Sequence, residues 1–410
     1  MSRLEELIQQ HCPNGVEYRP LEEVCEFRAG WGFPEVEQGL TEGKYPFYKV
    51  GDMNNSEMFM DTANNYISEE TSMKLKCKPA PKGTIIFPKI GATMNTNKKR
   101  ILTKPSCYDN NVMGLIAKSV NDRFLYYFFS QYKLIDFAKG TGAVPSLDTN
   151  RLKKLLIPVP PLPVQEEIVR ILDNFAELQA ELQAELQKRL QQYNYYRDKL
   201  LSFNDLNGGG YAVSVEWKKL EDICYATSNV KWKNTNEHYE YIDLTSVDID
   251  THAIVATTKI NSETAPSRAQ QIVKQGDVIF ATTRPTQMRV CMIPPKYDGA
   301  ICSTGYCVLR PDNTKVLSSF LFFILSIEDF KRYLEQKQTM GNYPAISNKL
   351  LKEYIIPIPP LAEQQRIVDI LDRFHALTTD ITAGLPAEIE ARRKQYEYYR
   401  DQLLTFKQKA

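Results

Sequence analysis

Apolar positions change their period along this chain, and the change happens twice. Ile168, Ile171, Phe175, Leu178, Leu182, Leu186, Leu190, Tyr193 and Leu200 recur every three or four residues through a sequence rich in Glu, Gln, Ala and Lys. That spacing predicts one long amphipathic helix with a coiled-coil-like seam. At about 1.5 Å per residue, 163–203 would span on the order of 60 Å. Ile367, Ile370, Phe374, Leu377, Ile381, Ile389, Tyr396, Tyr399 and Leu403 form a second stripe, in which Gly384 and Pro386 predict a kink or break. Ahead of each helix the pattern is different. Short β-rich runs such as TIIF, DVIF and YCVL are broken by Gly, Pro and Asn, with one apolar helical segment in each half, DRFLYYFFSQYKLIDF and SSFLFFILSIEDFKRYL. Each half therefore reads as a mainly β globule followed by helix.

The two halves are copies. LLIPVPPLPVQEEIVRILDNF at 155–175 recurs as YIIPIPPLAEQQRIVDILDRF at 354–374, an offset of 199 residues. Val16-Glu17-Tyr18 answers Val215-Glu216-Trp217 and Cys25 answers Cys224 at the same offset, while Lys82 to Phe87 matches Gln275 to Phe280 more loosely. The closing motif YNYYRDKLLSF (193–203) returns as YEYYRDQLLTF (396–406), an offset of 203, so the second copy carries extra residues inside its helical region. Residues 176–187 read AELQ three times. Each tetrapeptide advances a helix by about 6 Å and turns it by about 40° beyond a full turn, so the seam drifts there as at a coiled-coil stutter. The fold class expected is α+β: two mainly β globules joined by two long antiparallel helices, a pseudo-twofold internal repeat.

Composition narrows the chemistry. With 51 Lys and Arg against 50 Asp and Glu, the 410-residue chain has a net charge of +1, so a uniformly basic surface is excluded and any anion-binding face must be local. Two such faces stand out. Between Thr71 and Tyr108 there is no acidic residue, and this stretch holds Lys89, Lys98, Lys99, Arg100 and Lys104, with Thr93, Asn95 and Asn97 among them. Between Val278 and Tyr297 there is again no acid, and Arg284, Gln287 and Arg289 fall there. Lysines suit phosphates, whereas Arg, Asn and Gln can meet base edges through two hydrogen bonds. A solvated basic loop would show the same composition; its occurrence in both copies is what favours nucleic acid. The loops Gly140 to Pro145 and Met340 to Pro344 also correspond, and Asn342 and Tyr343 join the candidates, although plain turns would look alike. Tyr195, Tyr196 and Arg197, matched by Tyr398, Tyr399 and Arg400, are either packing residues or a docking face for a partner helix.

Catalytic motifs are not found: no phosphate-cradling GxxxxGK[ST], no HExxH, no GxSxG and no GxGxxG. Eight cysteines without a CxxC and four histidines suggest buried thiols in a reducing compartment rather than a metal site. The amino terminus lacks a signal-peptide core, and the longest apolar run, FLFFIL, is too short for a membrane span, so a cytoplasmic location without membrane contact is expected.

The doubled IPxPPLxxQxxIVxILDxF, the closing QYxYYRDxLLxF and the tandem tetrapeptides together resemble the specificity subunit of type I restriction-modification enzymes. The resemblance covers nearly the whole chain. It implies a first target recognition domain at 1–157, a central spacer helix at 158–204, a second target recognition domain at 205–356 and a C-terminal helical region at 357–410. It further implies that each recognition domain reads one half of a split, asymmetric sequence in double-stranded DNA. The helices would set the unread gap and dock two modification subunits, and restriction subunits would join the complex. On this resemblance the chain needs no cofactor or metal of its own; S-adenosylmethionine, ATP and magnesium belong to the partners. Two other readings of the residues stay open: a stand-alone bipartite DNA-binding regulator, and an enzyme with an unfamiliar nuclease or methyltransferase site.

Overall fold

The structure, a computed structural model, describes residues 2–139, 145–203, 214–379 and 384–409. It divides into two units, one of residues 1–180 with 392–410 and one of residues 181–391. In the first, a five-stranded sheet runs in the order Cys25–Ala29, Val112–Ala117, Ile85–Pro88, Arg100–Leu102, Phe59–Met60, beside a three-stranded sheet of Tyr66–Ile67, Tyr45–Tyr48 and Cys107–Tyr108. The second unit repeats this plan with Cys224–Tyr225, Tyr306–Pro311, Val278–Ala281 and Val290–Met292 in one sheet. Its other sheet holds Thr258–Ile260, Tyr239–Ile242, Ile301–Ser303 and Ala269–Ile272. The three-stranded sheet of the first unit and the sheet containing Thr258–Ile260 in the second each contain one parallel pair at the same place, Phe47 opposite Cys107 and Tyr241 opposite Ile301. The repeat read from the sequence is therefore a repeat of topology.

The predicted long helix is continuous from Leu162–Ser202. The second stripe is broken as expected: one helix covers Leu361–Thr379 and another Leu385–Leu403, the latter starting right after Gly384 with Pro386 in its first turn. Ile381 lies outside the described residues. Between Leu172 and Tyr193 no side chain of the long helix is fully buried, so the seam thins over the AELQ tetrapeptides. Each apolar helical segment, expected as one piece, is divided in two. Asp122–Ser130 is followed by a 3-10 turn at Leu134–Phe137. Ser318–Ile324 ends before a new helix at Glu328–Lys337, whose first-turn Glu328 and Asp329 favour a fresh amino terminus over continuation.

The motif residues explain themselves once paired. Glu17–Pro20 lies antiparallel to Leu156–Val159, with Tyr18 opposite Pro158, and Glu216–Lys219 lies against Ile355–Ile358, with Trp217 opposite Pro357. The two sequence anchors of each repeat are thus each other's partner, and they close the β domain where it meets its helix. In the turn that follows, the Gln165 amide is buried and bonded at both its oxygen and its nitrogen. Its Oε1 accepts from the Asn121 N–H at 2.8 Å and its Nε2 donates to the Pro160 carbonyl at 2.6 Å. Gln364 repeats the arrangement: Oε1 accepts from the Leu317 N–H at 2.9 Å, and Nε2 donates to the Pro359 and Lys315 carbonyls at 2.8 Å. Asn121 and Leu317 are the N-cap residues of Asp122–Ser130 and Ser318–Ile324. One amide from each spacer helix therefore holds the start of the domain's own helix.

Beyond this shared joint, the two seats differ. In the first unit Asp173 accepts from Arg123 Nη2 and from the Tyr127 hydroxyl, both at 2.6 Å. Burial and this carboxylate push the Tyr127 phenol up. In the second unit Ser319 and Phe323 stand in place of Arg123 and Tyr127. His375, where the first copy has Ala176, instead packs among Phe322, Phe323, Tyr193 and His252, with the two imidazoles stacked 6.3 Å apart. Burial, reinforced by the neighbouring His252, lowers the His375 imidazole to about 4, and burial also lowers His252.

Two outcomes follow from these joints. Replacing Gln364 by Leu leaves a buried N–H and two carbonyls without partners, so the second unit loses about 3 kcal/mol, read as a lower urea midpoint at unchanged slope. Burial lowers both imidazoles, His375 to about 4, so the unfolded chain binds more protons than the folded one between the usual 6.5 and about 4. Stability of the second unit is complete above that window and falls as pH drops through it. Denaturant titrations above and inside the window measure the loss, and His375→Ala makes the decline shallower.

Candidate nucleic-acid interface

Each acid-free stretch contains the loop that joins two neighbouring antiparallel strands of one sheet. In the first unit this loop leaves Ile85–Pro88, forms a 3-10 turn at Gly91–Thr96 and returns as Arg100–Leu102. In the second it leaves Val278–Ala281, turns at Pro285–Gln287 and returns as Val290–Met292. Each is tied to the second candidate loop by the same two backbone bonds. Gly91 N donates to Pro145 O at 2.7 Å and Leu147 N to Lys89 O at 2.9 Å. Arg284 N donates to Pro344 O at 2.7 Å and Ile346 N to Thr282 O at 2.9 Å. The loops noted separately in the sequence are thus one surface in each unit, except that Gly140 to Val144 lie outside the described residues.

The side chains named from composition separate into two groups. In the first unit Lys99 is 3% exposed; its ammonium donates to Tyr132 O at 2.8 Å and Asn97 Oδ1 at 2.9 Å and lies 4.9 Å from the centre of the Phe129 ring. Burial, helped by the Arg400 charge, pulls that ammonium down to about 7. Asn97, in a left-handed conformation at φ 51°, also accepts from Leu134 N. Arg100 spends its guanidinium on the carbonyls of Ser56, Lys99 and Met53. Arg289 in the second unit donates to the Leu244 carbonyl. These four residues were expected to face DNA; the structure engages them within the protein, Lys99, Arg100 and Arg289 by donating to backbone or amide oxygens and Asn97 by accepting from Lys99 and Leu134 N.

The others face outward. Lys89 and Thr93 are half-buried, the Thr93 hydroxyl donating to Ile90 O at 2.6 Å, while Asn95 is exposed. Lys98 reaches Asn54 Oδ1 at 2.5 Å, and exposed Lys104 lies 5.5 Å from the Tyr66 ring centre. Arg284, Gln287 and Asn342 are exposed, and Tyr343 is 74% exposed with the Arg284 guanidinium 5.2 Å from its ring centre. Met340, not singled out from the sequence, is 95% exposed on the same loop. Its place before Gly341 in a loop matched between copies was the available signal.

The tyrosine pairs divide between their two members. Tyr196 stacks on Phe374 at 6.0 Å in the second unit, where Tyr193 also meets His375, the order of an antiparallel pair. Tyr399 stacks on Phe175 at 5.6 Å in the first unit. The preceding residues, Tyr195 and Tyr398, are 60% and 62% exposed. Arg197 and Arg400 lie over Tyr193 and Tyr396 and pair with Asp198 and Asp401 at 2.8 Å and 2.7 Å.

Residues 13–192 and 213–391 each match the family described as type I restriction modification DNA specificity domain. A relative, the specificity subunit of a type I restriction enzyme of Escherichia coli, is 33% identical over 319 residues, 73% of either chain. Among solved structures, the specificity subunit of a type I restriction-modification system from Mycoplasma genitalium shares the fold with a TM-score of 0.50, at 16% identity over 95% of each chain. A chain from a structural study of assembly and conformational transition in a type I restriction-modification system reaches 0.56, at 15% identity over 96% of this chain and 98% of that one.

Proposed function

Because this chain belongs to the type I restriction-modification DNA specificity family, with both of its repeats matched, we propose that its paired loops are the two DNA-reading surfaces of a bipartite recognition subunit. The observation that carries this is the recurrence, in both units, of an acid-free strand-connecting loop bonded to a second loop through the same two backbone positions. In the first unit Lys89, Lys98 and Lys104 supply phosphate contacts, and Thr93 and Asn95 approach base edges. In the second, Arg284, Gln287 and Asn342 do so, with Tyr343 beneath the Arg284 guanidinium. The chain is a non-catalytic subunit. S-adenosylmethionine, ATP and magnesium are used by its modification and restriction partners, and adenine methylation and DNA cleavage take place there.

Tyr195 and Tyr398 are the docking positions for two modification subunits. They occupy matched places in the repeat and expose similar ring area while their neighbours Tyr196 and Tyr399 are occupied by stacking. Aromatic anchors of this kind dominate protein interfaces. The helical spacer sets the gap between the half-sites through its tetrapeptides, since about 40° per four residues approximates the twist of one base pair.

Two measurements test the reading. Tyr195→Ala with Tyr398→Ala leaves DNA binding by the chain intact and lowers co-purification of modification subunits at least tenfold, each single variant losing one of the two copies by native mass spectrometry. Deleting one AELQ unit from 176–187 shortens the gap between methylated half-sites in genome-wide methylation maps without altering either half-site; an unchanged gap refutes the spacer's role.

A further inference from the structure

The paired loops of the two units differ in chemistry. The first carries lysines, which serve as point charges. The loops of the second, 282–289 and 339–346, contain no lysine and instead present an arginine, a glutamine and an asparagine, all planar groups able to make two parallel hydrogen bonds, beside exposed Tyr343 and Met340. Of the two arginines, Arg289 is used by the Leu244 carbonyl. Arg284 has no carboxylate partner among the described residues. Its backbone is held in a left-handed conformation at φ 50° by the bond from its N–H to Pro344 O, and its guanidinium rests on the Tyr343 ring. Arg284 is exposed, and the ring beneath its guanidinium limits the side chain's rotamers, so less freedom is lost when the fork is engaged.

We infer that Arg284, braced by Tyr343, reads a guanine in the half-site recognised by the second unit, its fork meeting the O6 and N7 edge in the major groove. This rests on the paired loops being the DNA-facing surface. A guanine edge offers two acceptors side by side, which a fork matches and an ammonium does not. A phosphate, by contrast, accepts either cation. Tyr343 acts as a positioning residue: it orients the guanidinium without making the base contact itself.

The test uses the methyltransferase complex assembled from the full chain and its modification subunits, carrying Arg284→Lys, Arg284→Ala, Tyr343→Phe or Tyr343→Leu, with methylated sites mapped and affinity measured against salt. With Arg284→Lys and Arg284→Ala, one guanine position in one half-site becomes degenerate, discrimination there falling roughly tenfold to a hundredfold, while the other half-site and the gap are unchanged. Tyr343→Leu relaxes the same position more weakly, and Tyr343→Phe keeps it. If Arg284→Lys retains the full preference while Arg284→Ala weakens all sequences alike and lowers the salt slope by about 1, Arg284 is a phosphate contact and the inference is overturned. If Arg284→Ala changes neither sequence preference nor affinity, the loop pair does not face DNA. That result removes the proposed surface together with the guanine contact but leaves the bipartite specificity role intact. Loss of the entire half-site with Arg284→Lys also counts against a single-base contact.

Discussion

A buried glutamine amide is the joint on which each half of this molecule depends. The IPxPP turn removes N–H donors from the chain just where it must stop being a strand and start being a helix. That leaves the carbonyls of Pro160 and Pro359 inside the protein, facing the amino end of the domain's own helix, whose first N–H groups have no partner within it. Gln165 and Gln364 supply the missing acceptor and donors from a single side chain. A buried amide bonded at both its oxygen and its nitrogen cannot rotate without breaking several bonds in a dry environment. The domain's orientation on its helix is therefore as rigid as the amide itself.

Around that joint, tasks are divided spatially. Strand-connecting loops carry the outward arginine, lysine and amide groups, the spacer carries outward tyrosines, and the stacked residues behind those tyrosines hold the helices. Among the described residues, the outward loop residues make no hydrogen bond or ring contact with Gln165, Gln364 or the aromatic stacks, so they can vary without disturbing them. This arrangement is also consistent with a chain of net charge +1: two segments carry positive charge unbalanced by any acid, while acidic and basic residues are mixed along the helices.

Much of this was legible in the sequence. Periodicity located the long helix, Gly384 and Pro386 marked the break, and the offset of 199 residues exposed the repeat, because each rests on local rules that neighbours in space do not override. The outward or inward direction of a polar side chain is not local. Lys99 and Lys104 look equivalent as members of a basic run, yet the left-handed turn at Asn97 aims Lys99 at Tyr132 O, while Lys104 stays in solvent. Arg284 and Arg289 divide in the same way, according to whether the Leu244 carbonyl is within reach. The glutamine of the IPxPPLxxQ motif was visible as a repeated letter, but its role needed the turn, the strand ribbon and the helix start to be seen together. The division of the apolar segments was missed because Phe320 to Ile324 and Phe330 to Leu334 continue one hydrophobic pattern across a helix end.

The strand ribbon gives each recognition domain the character of a graft. Glu17–Pro20 and Leu156–Val159 bring its beginning and end side by side, as do Glu216–Lys219 and Ile355–Ile358, so a whole domain can be replaced through one narrow stem. The stems are interchangeable, but the seats beneath them are not. A second domain moved forward would leave Asp173 facing Ser319 and Phe323, without its two donors, and a first domain moved to the second position would meet Asp372 at the place of Asp173 but His375 instead of Ala176. An exchange between like positions keeps these contacts, whereas an exchange across positions loses the Asp173 pairs or the His375 cluster.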